Sequence, residues 1–110
     1  MMFMISYVPA EGTALDNEQF TSAVQMVGNW ANALSASGTW IVHSNRFNAA
    51  QIRDTLKPFI KADKGDRLFV ARFSRNWAGT NMGSNFPDWL KRQDFGTFTE
   101  VSGGIATPAN

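Results

Sequence analysis

Arg53, Lys57, Lys61 and Lys64 recur at i, i+4, i+8 and i+11. Along one helix that spacing sets four cations on one side, within reach of successive phosphates. Arg72 and Arg75 follow, close to Trp77. Guanidinium groups beside an indole suit a polyanion, with the ring stacking on a base or a partner side chain; an anchoring core Trp fits the same sequence. These six basic residues form the candidate surface for a nucleic acid or another acidic partner.

Residues able to do covalent or metal chemistry are scarce. The chain has no cysteine, which excludes thiol nucleophiles, thiolate zinc sites and disulfides. His43 is the only histidine and has no partner at metal-ligand spacing. A general base needs a nucleophile or water within hydrogen-bond reach, and a lone strand histidine is expected to pack. Residues 79–84 contain two glycines but lack the Gly-Lys-Ser/Thr ending of a phosphate loop. No catalytic residue, metal site or cofactor is therefore assigned.

The net charge of +1 conceals a polarised distribution. Residues 1–45 carry Glu11, Asp16 and Glu18 and no Lys or Arg, for a balance of −3. Residues 46–92 hold all ten basic residues against Asp54, Asp63, Asp66 and Asp88, for +6, and Asp94 and Glu100 give the remainder −2. Such a split puts a basic surface on the second half, where it either meets an acidic partner or balances the acidic half in space.

At 110 residues, with 44% hydrophobic residues, four Trp and nine Phe, the chain can fill one core without staples. The apolar start lacks the basic and small-residue signals of a leader, and no run approaches the roughly 18–20 residues of a membrane span. A cytoplasmic protein without membrane contact is expected.

The elements that must position the basic residues follow from periodicity. Phe3, Ile5 and Tyr7 alternate with Met2, Met4 and Ser6, both sets largely apolar, as in a central strand covered on two sides. Pro9 ends it. Asp16 and Gln19 make a helix start, with Leu15 stapled on Phe20, and Phe20, Ala23, Val24 and Val27 form the buried stripe. Residues 30–35 and 39–44 read as strands around a short turn containing Gly38. Asn48 and Gln51 repeat the capping grammar, with Phe47 stapled on Ile52 and a helix burying Ile52, Leu56 and Phe59 up to a break near Pro58. Residues 67–73 are the last core strand, with Phe69, Ala71 and Phe73 on one side.

This order closes most economically as an α+β, ferredoxin-like β-α-β-β-α-β sandwich, an antiparallel four-stranded sheet with both helices on one face. The second face then needs a cover, either a second copy of the chain or the C-terminal segment. In that segment residues 86–92 read as a short helix with Pro87 in its first turn, and residues 95–101 as a possible fifth strand that joins a partner protomer. The domain is placed at residues 1–92, with 93–110 as a C-terminal extension.

Ile5-Ser6-Tyr7, Ser37-Gly38-Thr39-Trp40-Ile41-Val42, the run from Ala50 to Pro58, Asp66-Arg67-Leu68-Phe69-Val70 and Trp77-Ala78-Gly79 resemble the small bacterial and phage proteins called SinR-like. Those are similar to the Cas-two nucleases of CRISPR adaptation and to the GhoS antitoxin. The resemblance implies a ferredoxin-like domain that dimerises through its sheet, in a phage, mobile-element or defence setting. It also implies a first strand ending in Tyr-Asp, whose paired aspartates hold a divalent cation for phosphodiester cleavage. The matching pair here is Tyr7-Val8, which supplies no carboxylate.

The expected function is accordingly that of a homodimeric binding or regulatory module without robust catalysis. The rivals are a metal-dependent ribonuclease that recruits Glu11 or Asp16 in place of the missing acid, and an inhibitor or scaffold acting by protein–protein binding.

Overall fold

A computed structural model of the chain describes residues 1–10, 18–35, 38–83 and 85–96. Four strands, β1 (Met2–Val8), β2 (Trp30–Ser35), β3 (Thr39–His43) and β4 (Arg67–Phe73), make one sheet in the order β2-β3-β1-β4. Every neighbouring pair is antiparallel. Helix α1 (Glu18–Val27) connects β1 to β2 across the intervening β3, and α2 (Ala49–Leu56) connects β3 to β4 across β1. A third, short helix, α3 (Phe86–Lys91), follows β4.

The first face of the sheet is closed by the two long helices. Phe3, Ile5 and Tyr7 of β1 and Val42 of β3 meet Phe20, Ala23, Val24 and Val27 of α1 and Ile52 and Leu56 of α2 in a single buried cluster. The i, i+3, i+4, i+7 stripe of α1 is thus buried as its spacing requires. Its last turn is held from outside: Ser44 Oγ donates to the Val27 carbonyl at 3.0 Å and Arg46 to the Met26 carbonyl at 2.8 Å. Gly28 is required here, because a Cβ at that position would lie 2.4 Å from the His43 carbonyl oxygen.

Helix α2 starts with the capping box read from the sequence. Asn48 Oδ1 accepts from the Gln51 amide at 2.8 Å, and Gln51 Oε1 accepts from the Asn48 amide at 2.9 Å. The helix stops at Leu56 and tightens into a 3-10 turn, Lys57–Phe59, around Pro58, as the missing amide dictates. Phe59 departs from expectation. It is 37% exposed rather than buried, because the change from α to 3-10 geometry rotates it away from the stripe that Ile52 and Leu56 follow.

The second face is covered over only part of its area, and by the chain itself. Met2 and Ile41 pack against Phe86 and Leu90 of α3 and against Phe95, with Met4, Leu34, Phe73, Trp77, Met82 and Trp89 around them. The C-terminal segment, one of the two covers considered for this face, packs here. Its packing continues past residue 92, since Phe95 is only 3% exposed and meets Phe73 edge to face at 5.6 Å. Phe95 and Gly96 are not in a strand. The rest of the expected fifth strand, and the start of the first helix at residues 15–17, lie outside the described residues. At the other end of this face Val8 and Phe69 are 49% and 59% exposed.

Candidate functional site

The four basic residues expected on one helix stripe are all exposed, but they do not share a helix. Arg53 lies on α2, Lys57 begins the 3-10 turn, Lys64 ends a second turn (Ala62–Lys64), and Lys61 stands between the turns. Acids interrupt the group. The Arg53 guanidinium contacts the Asp54 carboxylate at 3.0 Å, with both side chains more than half exposed. Such a pair is worth little and can be exchanged for a ligand. Asp54 and Asp63 line the same shallow depression as Lys57. The outcome is an exposed set of cations interrupted by acids rather than a continuous stripe.

Arg72 and Arg75 belong to a different place. Arg72 Nη2 donates to the Phe95 carbonyl at 3.1 Å, and Arg75 donates to the carbonyls of Lys91 and Gln93 at 3.3 and 2.9 Å. The Arg75 guanidinium also lies 4.7 Å from the centre of the Phe95 ring. Arg72 on β4 and Arg75 just beyond it therefore tie the end of α3 and the residues that follow it to the last strand. Cations at a helix C-terminus satisfy carbonyls that lack an intrahelical donor. Trp77 packs in the second buried cluster, which gives it the anchoring role of the two considered. Arg67, not singled out in the sequence, is exposed at the start of β4 directly opposite Val8. Its place three residues after Lys64, in the basic second half of the chain, is the sequence signal that could have added it to the candidates.

His43 ends β3 beneath the turn at Asp94 and is 5% exposed. It hydrogen-bonds to the Asp94 backbone, while its Nδ1 is buried without a partner. Burial holds its pKa below the ordinary histidine value, helped by the Met1 ammonium and opposed by the Asp94 carboxylate. With its ring enclosed, His43 packs beneath the residues that follow α3.

Asp66, read from the sequence as one of the acids in the basic half and as the start of the Asp66–Val70 run, is a structural hub. Its Oδ1 accepts from the Ala10 amide at 2.8 Å, and its Oδ2 accepts from the Lys61 amide and the Tyr7 hydroxyl, each at 2.9 Å. The Ala10 and Lys61 amides, and after them the Tyr7 hydroxyl, hold this carboxyl below the usual aspartate range. With three donors on two oxygens, the group has little left to offer a cation. Val8, the residue after Tyr7, faces Arg67 on one side, and the neighbouring Ser6 faces Thr39 and Phe69. No acid stands among these sheet partners. Among the described residues no group of three or more His, Cys, Asp or Glu could hold a metal ion; Glu11 and Asp16 lie outside them.

An open cleft of about 540 Å³ runs between α1 and the end of α2, lined by Glu18, Gln19, Ser22, Ala23, Met26, Thr55 and Phe59. It is mainly apolar and contains no pair of groups able to act as acid and base. No helix among the described residues is long and apolar enough to cross a membrane. No protein-family model matches the sequence, and no curated protein matches it significantly.

Proposed function

We propose that the chain is a dimeric binding module of the ferredoxin-like, Cas-two-like kind that has no phosphodiesterase activity. The observation that carries this reading is the end of β1. There Tyr7 spends its hydroxyl on Asp66, and the next residue, Val8, faces Arg67. A hard cation shared between two protomers needs a carboxylate from each, and this position offers an alkyl group beside a cation. The strand order β2-β3-β1-β4, with α1 and α2 on one face, supports the ferredoxin-like part of the reading. The half-open second face and the sheet edges left unpaired among the described residues support association with a second copy.

The partner in this reading is acidic, a nucleic acid or an acidic protein surface. It is met by Arg53, Lys57, Lys61 and Lys64, all of which are exposed. Arg72 and Arg75 are left to hold the C-terminal cover. A phage, mobile-element or defence setting follows from the resemblance to SinR-like proteins and belongs to the same proposal.

The test combines cleavage and binding. Labelled RNA and double-stranded DNA should remain intact with magnesium or manganese, and metal-dependent cleavage abolished by one carboxylate substitution, with folding retained, would overturn the non-catalytic reading. Anisotropy titrations should show salt-sensitive binding to one of these polyanions that weakens when Lys57, Lys61 and Lys64 are together replaced by Gln. Unchanged binding in that variant would remove these lysines from the interface.

A further inference from the structure

The two edges of the sheet are protected very differently. β4 carries Arg67 and Arg72 within its length. β2 reads Trp30-Ala31-Asn32-Ala33-Leu34-Ser35, six residues with no charge and no proline. Its outer side pairs with no strand among the described residues. An uncharged free edge is a template for adding another strand, and soluble proteins ordinarily blunt such edges with charges or proline. Trp30 stands on this edge at 57% exposure.

We propose that two copies of the chain join β2 to β2 across a two-fold axis at Asn32, making one continuous eight-stranded sheet. The inference rests on the dimeric reading above and says where the contact lies. Residues that face each other across a strand pair lie on the same side of the sheet, so the axis must pass through a residue. Trp30 and Asn32 share a side, being paired with His43 and Ile41 of β3, and Leu34 packs with Ile41 on that side. Centring on Asn32 keeps residues 30–34 in register. It sets Trp30 of each copy opposite Leu34 of the other, Ala31 opposite Ala33, and the two Asn32 amides opposite each other.

Every element of that register is self-complementary. The exposed indole gains an apolar neighbour twice over, the alanines let the backbones approach, and the paired amides can exchange a hydrogen bond on the axis. No like charges meet, because the strand has none. The irregularity in the β2–β3 pairing, between Ala33 and Ser35, leaves Leu34 without a β3 partner, so the regular part of the register is Trp30–Ala33 and the Trp30–Leu34 contact at each end lies at a bulge. Edge pairing buries less than the roughly 1,600 Å² of a standard interface, so the dissociation constant should be micromolar.

The chain has no cysteine of its own, which makes single-cysteine variants clean reporters. In antiparallel strands facing Cα atoms lie about 4.5–5.5 Å apart, within disulfide reach. Asn32→Cys should therefore oxidise to a reducible dimer, whereas Gln25→Cys, exposed on α1, should not. Asn32→Lys puts two ammonium groups face to face on the axis and should raise the dimer dissociation constant at least about tenfold, with an unchanged circular dichroism spectrum. If Asn32→Cys crosslinks no better than Gln25→Cys and Asn32→Lys leaves the mass unchanged while the native chain is dimeric, the β2 contact is wrong and the dimeric reading stands. If the native chain scatters light as a 12.2 kDa particle at every concentration, both fall.

Discussion

The two faces of the sheet are closed by different means, and the difference separates what the topology compels from what the chain adds. On the first face, α1 and α2 are the crossovers themselves, so joining parallel strands across an intervening one brings their apolar stripes onto β1 and β3. The second face has no such guarantee. It is closed by a segment that comes after the last core strand, and only around Met2, Ile41 and Phe73. That segment depends on specific ties, Arg72 and Arg75 to the carbonyls of residues 91, 93 and 95, and the ring of Phe95 between Phe73 and Arg75.

The sharpest way to break the comparison is to remove the centre of the added cover. Phe95→Ala deletes a 3% exposed ring together with its contacts to Phe73 and Arg75, and should cost about 3–5 kcal/mol in urea unfolding. A cost below about 1 kcal/mol would mean that the cover contributes nothing beyond surface packing.

A smaller loss is expected from Asp66→Asn, which leaves an amide NH₂ among three donors and should lower the unfolding midpoint by less than Phe95→Ala does. The pH dependence identifies the cause. The folded carboxyl has a pKa below its ordinary 3.8, so its stabilisation is complete above that value and is lost as pH falls through the lower folded pKa. Asp66→Asn should flatten this acid limb, and an unchanged limb would show that other carboxylates govern it.

What the sequence discloses divides along the same line. The capping box of Asn48 and Gln51, the α1 stripe, the stop at Pro58 and the strand alternation are decided by residues a few positions apart, and all can be read directly. The use of Arg72 and Arg75 is set by carbonyls 16 to 23 residues away. No local pattern distinguishes an arginine that ties down a distant turn from one that awaits a phosphate. Asp66 is hidden for the same reason, since its donors at Tyr7 and Ala10 lie 59 and 56 residues back. The basic stripe was legible as a spacing but not as a surface, because Pro58 and the second 3-10 turn redirect the chain between its members.

His43 offers a finer probe of the covered half. Its folded pKa is lowered, by burial first, from 6.5, so the native state binds fewer protons than the unfolded chain below that pH. The neutral ring's stabilisation is complete above about pH 6.5 and falls away as pH drops toward the folded pKa. Melting temperature should decline between about pH 7.5 and 5.5 in the native protein and decline less in His43→Gln. Parallel curves would place the ring outside the cover. The window lies well above that of Asp66, so one pH series separates the two groups.

The smallest effect belongs to the open half. Phe69 is 59% exposed beside Ser6, at the end of the second face away from Met2 and Ile41, where α3 packs. Phe69→Ser removes little buried surface and should change stability by no more than about 0.5 kcal/mol. Its value lies in the dimer. If β2 edges hold the two copies together, the dissociation constant of Phe69→Ser equals that of the native chain, because the residue lies on the opposite edge strand, with β3 and β1 between them. If instead the substitution dissociates the dimer, the open half-face around Val8 and Phe69 is the contact. The second face would then be closed in two parts, one by the chain itself and one by its neighbour.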